Sequence, residues 1–309
     1  MKEENKAASA PCRIAILGAG GLLGRGLSRM LAQSHTVVPL AKAAADVTAP
    51  QTLARALEAA AADVIINCAG FLNVDRCEKR PRQSYLVNGL GPMYVAQAVS
   101  AIPAIRRPTL FHFSSDFVFD GIKGNYNEDD LGRPLSYYGT HKLLADEFMF
   151  QSGLRDYYIL RTSGLISYDE EKGNFLKRMI ALAAEKPFLQ IVDDLKISMT
   201  TIEALAQLIE QIMRVRPAAG LYNAVCAGTT TWHAILRAAF AQLVIDREIR
   251  PVSIDDMPGA ALRPRHSDLD TTKLAHALGT PMPGWQEALR EHVEKNLERY
   301  AVMQTMLAN

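Results

Sequence analysis

The sequence predicts an α/β protein, a Rossmann-type doubly wound parallel sheet with a smaller, interleaved C-terminal domain. Three observations carry that expectation. Short β-rich apolar runs alternate with segments of helical periodicity through roughly the first half of the chain, the pattern of a parallel sheet covered by helices on both faces. A glycine-rich turn joins the first run to the first helix. Beyond residue 165 the regular alternation gives way to longer helical segments separated by short strands.

The elements follow in order. Arg13 to Leu17 is a short β-rich run that stops at Gly18-Ala-Gly-Gly-Leu-Leu-Gly24. Leu23, Leu27, Met30 and Leu31 then share one helical face, and Thr36 to Leu40 forms the next apolar run, which completes a βαβ unit. The alternation continues with a helix over 50–62, a strand over 64–66, a helix from about 92 to 102, a strand over 110–113, a helix over 137–152 and a strand over 157–160. Sheets of this kind take ligands at the carboxyl ends of their strands. The loops after Leu17, Leu40, Ile66, Phe113 and Leu160 are therefore expected to line a site. Later helices are expected near 174–185, 202–213, 231–242 and 284–300, with a Pro- and Arg-rich loop from Met257 to Asp268. The division expected is a dinucleotide-binding domain over 12–165, receiving part of 195–225, and a second domain over 166–309. No internal repeat or low-complexity tract is present.

Composition narrows the function. A chain of 309 residues accommodates about two domains. Its 34 Lys and Arg nearly cancel 33 Asp and Glu, for a net charge of +1, so no field favours nucleic acid or an anionic membrane. No apolar run approaches the length of a membrane span, and the start, Met1 to Lys6, carries acid where a secretory leader would be basic and then apolar. A cytoplasmic location is expected. Cys12, Cys68, Cys77 and Cys226 lack the spacing of a zinc site or a disulfide framework and are read as free thiols. The seven histidines show no metal-type pairing. No metal site is expected.

Gly18-x-x-Gly21-x-x-Gly24 between strand and helix is the turn that brings backbone N–H groups against a pyrophosphate. Leu22, Leu23 and Arg25 open the helix behind it. An NAD site usually carries an acid at the end of the second strand, about 20 residues on. Here the place reads Leu40-Ala41-Lys42. Without that carboxylate a 2′-phosphate is not repelled, and Lys42, with Arg25 as a second candidate, would supply the countercharge. NADPH is favoured, with NADH as the alternative, and Lys42 as a plain surface lysine is the competing reading. Asp46 either faces the adenine amino group or is an ordinary acid before a helix. Val47, Cys68, Ala69, Gly70 and Asn88 complete the cofactor-side candidates.

Tyr138-Gly-Thr-His-Lys142 places a phenol and an ammonium on one helical face. The helix follows the strand that ends in Ser114-Ser115-Asp116, so the Ser115 and Tyr138 hydroxyls are expected to converge. Such a trio suits hydride transfer to a ketone: Tyr138 supplies the proton, Lys142 lowers the phenol pKa, and Ser115 fixes the oxygen. A second copy of the spacing, Tyr168 to Lys172, lies in an acidic stretch with no strand behind it and is assigned no chemistry. His112 is read as a core residue and His141 as pointing off the reactive face. Trp232 is read as core, with a pocket wall as the alternative, and Arg76 to Arg82 as a helix-end surface.

With the glycine turn, Asn67-Cys-Ala-Gly70, Ser114-Ser-Asp116, Tyr138-x-x-x-Lys142 and Arg161-Thr-Ser163 in this order, the chain resembles the extended short-chain dehydrogenase/reductases. Val74-Asp-Arg-Cys-Glu78, Pro134-Leu-Ser-Tyr-Tyr-Gly139, Gly228-Thr-Thr-Thr-Trp232 and Arg263-Pro-Arg-His-Ser267 make it similar to the dTDP-4-dehydrorhamnose reductase family. The resemblance implies a reductase that uses NADPH or NADH on the 4-keto group of a nucleotide-linked 6-deoxyhexose. It assigns Ser115, Tyr138 and Lys142 as the triad and places Val74, Asp116 and Phe117 beside the sugar. Lys196, with Arg263 and Arg265, would grip the diphosphate, against a solvated basic loop as the other reading. A homodimer is left open. A sugar-nucleotide dehydratase would read Asp-Glu after the Ser/Thr, and Phe117 stands there instead. Two departures are visible: Gly164 replaces an aromatic residue, and Asp194 to Thr200 replaces a Gln-x-Gly-x-Pro-Thr loop. They keep open a non-catalytic NADP-binding regulatory subunit like that of methionine adenosyltransferase; a sugar-nucleotide epimerase is the other alternative, and Ala41-Lys42 in place of an acid argues against it.

Overall fold

The computed structural model describes residues 11–168, 174–257, 259 and 261–308. The start, Met1 to Lys6, and Lys172 of the second Tyr-Lys spacing lie outside them, as does part of the Pro- and Arg-rich loop. The chain opens with β1 (Arg13–Leu17), α1 (Leu22–Leu31), β2 (Thr36–Leu40), α2 (Pro50–Ala60) and β3 (Val64–Asn67). Two short helices, α3 (Val74–Lys79) and α4 (Pro81–Ser84), run through a π-helical turn at Tyr85–Leu90 into α5 (Gly91–Ala101). Next come β4 (Thr109–Ser115), α6 (Tyr137–Phe150) and β5 (Tyr157–Thr162). The later part contains β6 (Leu165–Ile166), α7 (Phe175–Glu185), β7 (Phe188–Val192), β8 (Thr200–Thr201), α8 (Ile202–Val215) and β9 (Gly220–Asn223). It ends with α9 (Trp232–Gln242), β10 (Glu248–Val252), α10 (Thr272–Leu278), α11 (Trp285–Lys295) and α12 (Leu297–Ala308).

Six parallel strands form the main sheet in the order β2-β1-β3-β4-β5-β9. The direction of winding reverses between β1 and β3, the place where a doubly wound sheet opens a crevice. One face of the sheet buries Ala15, Leu17, Ile65 and Leu110 under α2 and α5, through Leu53, Leu57, Val95 and Val99. The opposite face buries Ile14, Ile16 and Ile66 under α1 and α8, through Leu27, Leu31, Leu205 and Ile209. That second core continues into α7, α9 and α11. Two further parallel pairs, β7 with β10 and β6 with β8, belong to the C-terminal region.

Two elements differ from the expectation. The helix anticipated over 284–300 is broken at Asn296, whose buried side chain donates to the His292 carbonyl oxygen at 2.8 Å. An Asn that bonds its own backbone competes with helix continuation. α12 then turns so that Tyr300 meets His292 Nε2 at 3.0 Å and packs edge-on against Tyr168. Trp232 is half-buried rather than core; it lies 4.6 Å from Phe175 and walls a groove of about 690 Å³ between α7 and β7. His112 is buried, with Nδ1 3.3 Å from the Asn67 amide, and His141 faces Ser84 Oγ at 2.8 Å. All four cysteines are free thiols. Among the described residues no helix is long and apolar enough to cross a membrane, and no group of three metal-ligating side chains forms.

Candidate active site

A cavity of about 450 Å³ opens at the carboxyl ends of β1, β3, β4 and β5. Each loop that follows β1 to β5 contributes to its wall. Gly18 has φ +72°, and a Cβ there would meet Ala69 N at 2.7 Å. A side chain at Gly24 would meet the Gly18 carbonyl oxygen at 2.4 Å. The turn is thereby held against the end of β3, and α1 starts close to the sheet. Gly21 is the N-cap, makes no side-chain cap, and no acid stands in the first turn of α1. The N–H groups of Leu22 and Leu23, on the cavity wall, are thus offered at the positive end of the helix dipole. These features fit the pyrophosphate of a dinucleotide.

Lys42, Asp46 and Val47 continue this wall. The Lys42 ammonium is largely exposed, 3.5 Å from the Asp46 carboxylate. Asp46 also accepts from Thr48 N and Oγ1 at 2.9 and 2.8 Å. On the β3 side come Cys68, Ala69, Gly70 and, farther on, Val74. Asn88 stands outside the wall and holds it: its side chain accepts from Phe71 N at 2.8 Å and donates to Phe71 O at 2.9 Å.

The reactive end is formed by β4 and α6. β4 carries Ser115 to its last position, and Ser136 caps α6 by accepting from Gly139 N at 3.2 Å. Tyr138 thus enters in the first turn of α6, buried, on the same cavity wall as Ser115. Phe117 packs edge-on against the Tyr138 ring at 5.6 Å. Lys142, one turn along, is also buried, and its ammonium donates to the Phe113 carbonyl oxygen. Burial pushes the Lys142 pKa down to about 8, against the opposing pull of Asp146.

One expectation is corrected here. The phenol of Tyr138 is not lowered by Lys142; its pKa is raised, by burial first and then by the nearby Asp116 charge, against the opposing influence of the Ser115 hydroxyl. Desolvation of a phenolate outweighs an ammonium already engaged with a backbone carbonyl.

Behind this trio, Asp146 Oδ2 accepts from Arg161 Nε at 3.2 Å, Arg161 Nη2 at 3.1 Å and Ser114 Oγ at 3.0 Å. Asp116 lies on the cavity wall, buried, with Ser115, Ser163 and Ser267 around its carboxyl group. Ser163, on the cavity wall, and Ser267 hold Asp116 in place, and sequence reasoning singled out neither. The first was marked by its place after β5; the second, 151 positions from Asp116, carries no local signal. Gly164 also lines the wall, at φ +51°, and a Cβ there would meet Ser198 O at 2.4 Å. An aromatic residue would strain this backbone.

Several predicted residues are not brought into the cavity. Arg25 is half-buried on α1 outside the wall. Arg263 pairs with Asp75 at 2.8 Å. Arg265 bridges Asp194 at 2.9 Å and Asp255 at 2.6 Å. The Lys196 side chain is exposed, and its backbone joins the segment Arg265 to Ser267. The two arginines are occupied by acids distant in sequence, so the three basic groups do not converge on a common anion.

The comparisons agree with this geometry. A family profile described as "RmlD substrate binding domain" matches residues 12–298. A dTDP-4-dehydrorhamnose reductase of Mycolicibacterium smegmatis is 33% identical over 285 residues, covering 91% of this chain and 85% of that protein. One from Aggregatibacter actinomycetemcomitans is 33% identical over 304 residues, covering 94% and 99%. The crystal structure of dTDP-4-dehydrorhamnose reductase from Bacillus anthracis in complex with NADP superposes with a TM-score of 0.85 at 27% identity, covering 92% of this chain and 99% of that one.

Proposed function

We propose a specific reduction from one premise: the chain belongs to the RmlD substrate binding domain family. It is an NAD(P)-dependent oxidoreductase that acts on a keto group of a sugar nucleotide. The finer reading is reduction of the 4-keto group of a nucleotide-linked 6-deoxyhexose, with NADPH as the preferred donor. The observation that carries it is the placing of Ser115, Tyr138 and, one turn along, Lys142 on the wall of the same cavity as the glycine turn.

Bound NADPH would supply the hydride. In this reading Gly18, Gly21, Leu22, Leu23 and Gly24 take the pyrophosphate, while residues 12–165 hold the cofactor and 166–309 mainly the sugar. Tyr138 gives its proton to the oxygen on which negative charge develops. Its raised pKa keeps the proton on the phenol until that oxygen becomes basic. Ser115 fixes the oxygen, and Lys142, as an ammonium, would hold the ribose. Val74 and Phe117 provide the apolar wall beside the sugar.

The test is loss of NADPH absorbance with purified protein and an enzymatically generated dTDP-4-keto-6-deoxyhexose, with NADH in parallel. Turnover supports the reading; cofactor binding without turnover would favour the regulatory alternative. Lys42→Ala is expected to raise the KM for NADPH about fivefold or more and leave that for NADH unchanged, because only one of the two carries the 2′-phosphate. Equal changes for both would remove Lys42 from phosphate recognition.

The Lys142 shift gives a pH dependence. Its value falls from 10.5 to about 8, so activity that needs the ammonium declines as pH rises past about 8. The stability sign is separate. A depressed folded pKa contributes stability above the unfolded value and loses it as pH falls through the folded one. Wild type is therefore expected to gain stability relative to Lys142→Met between about pH 8 and pH 10. Thermal unfolding across that window checks it, and a constant difference would contradict the shift.

A further inference from the structure

The amino-terminal ends of the main strands lie opposite the active-site cavity, and a second nucleophilic cluster stands there. Cys12, the residue before β1, places its Sγ 3.4 Å from Nδ1 of His35, the residue before β2. The His35 side chain is fully buried, whereas Cys12 is partly exposed on the wall of a cavity of about 580 Å³. Asp63 and Asp156, which precede β3 and β5, line the same cavity, together with Arg214 and Arg216 at the end of α8. Its volume is that of a small-molecule site, about 300–1,000 Å³.

The hydrogen bonds fix which ring nitrogen can act as a base. The Cys12 N–H donates to His35 Nδ1 at 3.3 Å, so Nδ1 carries the lone pair and Nε2 the proton. The thiol hydrogen shares that lone pair, because Sγ stands on the same nitrogen. Nε2 makes no hydrogen bond, yet the Glu210 carboxylate is 3.2 Å from it. A proton arriving at Nδ1 turns this close approach into an ion pair, which favours the transfer. A nucleophile in reach of a base, with a third group facing the base, is the arrangement that activates a thiol. Burial first, then Asp63 and Glu210, push the Cys12 pKa upward against Arg216. The resting group is therefore the thiol, and its sulfur attacks only when a base takes the proton. Once that proton is gone, a sulfur of higher pKa is the stronger nucleophile.

We propose that Cys12 is a thiol–disulfide exchange site, with His35 as its base, which takes a low-molecular-weight disulfide from the cavity at the amino-terminal edge of the sheet. As the Cys12 S–H bond breaks, the proton passes to His35 Nδ1 and the sulfur bonds to one sulfur of the incoming disulfide. The S–S bond of that disulfide breaks, and the departing thiolate collects the proton from Nδ1 and leaves as a thiol. One disulfide is consumed and one mixed disulfide forms, so the exchange needs no further oxidant. The other cysteines are less suited to it. Burial raises the Cys68 thiol steeply and pushes that of Cys226 up to about 12, and Cys77 Sγ donates to the Phe71 carbonyl oxygen at 3.2 Å. The site is independent of the reductase reading, since it shares no residue with the active-site cavity.

The experiment incubates the full-length wild type, Cys12→Ser and His35→Asn with oxidised glutathione, quenches with acid, and follows intact mass and the modified peptide by mass spectrometry. Wild type is expected to gain one glutathionyl group, on Cys12, that dithiothreitol removes. Cys12→Ser should gain none. His35→Asn is expected to react about 10²-fold more slowly, the lower end for removing a positioned base, with its Tm measured alongside to show that it is folded. If His35→Asn does not fold, wild type alone decides: Cys12 should exchange faster in the native protein than in the urea-unfolded chain at the same pH, because only the native chain holds His35 beside it. An adduct on Cys68, Cys77 or Cys226 instead of Cys12, no adduct, exchange in His35→Asn at the wild-type rate, or native exchange slower than unfolded overturns the proposal.

Discussion

Tyr138→Phe is expected to lower kcat by about 10²- to 10⁴-fold, the usual range for removing a general acid, while NADPH binds with unchanged affinity. The ring stays, so its packing against Phe117 and its burial stay with it. What is lost is one hydroxyl beside the Ser115 side of the cavity. The Tm should change by only a few degrees, because a single polar group is removed and the packed ring is kept. Steady-state kinetics and a fluorescence titration with NADPH separate the two effects. Turnover within threefold of wild type would show that the proton comes from elsewhere and would end the role proposed for Tyr138.

Arg161→Met carries the largest expected loss of stability, about 3–5 kcal/mol, the range for breaking a buried ion pair on one side. Asp146 and Arg161 side chains are 0% and 4% exposed. Two guanidinium nitrogens address the same oxygen, Asp146 Oδ2, and the guanidinium also lies 5.1 Å over the Phe119 ring. Without Arg161, the Asp146 carboxylate keeps Ser114 and the more distant Lys142 in a site from which water is excluded. The double substitution Asp146→Leu with Arg161→Met should be less damaging than Arg161→Met alone, since it removes the stranded charge. Urea unfolding of the three variants measures this. Equal losses in the single and double variants would mean that side-chain packing, rather than charge, is what Arg161 supplies.

Much of the dinucleotide-binding half was legible because its strands are apolar where they are buried. Arg13–Leu17 and Thr36–Leu40 coincide with their runs. Other strands ended too early on hydropathy. β3 continues through Asn67, β4 through Ser114 and Ser115, and β5 through Arg161 and Thr162. At those ends the ladder persists after the side chains turn polar, and Ser115 still pairs with Thr162. The polar ends are what the site is made from, so a hydropathy boundary falls just short of the chemistry. The C-terminal region was harder to read. β6 and β8 are two residues each, too short to show a period of two. Charge shows in a sequence, but pairing does not. Arg263 and Arg265 read as anion ligands until Asp75, Asp194 and Asp255 are brought beside them. The direction of the Tyr138 shift was misjudged for a related reason, since the neighbouring ammonium is visible in sequence and the depth of burial is not.

The packing of α8 on α1, and of β9 along β5, bears on attempts to recombine this protein. A graft that exchanged everything after residue 165 to import another sugar preference would also carry away Leu205 and Ile209, which cover the sheet beside α1, and the strand that closes the β5 edge. It would remove Ser267 from Asp116 as well. A workable chimera would keep residues 202–223 and Ser267 from this chain and exchange only the intervening segments. The two halves of the polypeptide are therefore not interchangeable parts.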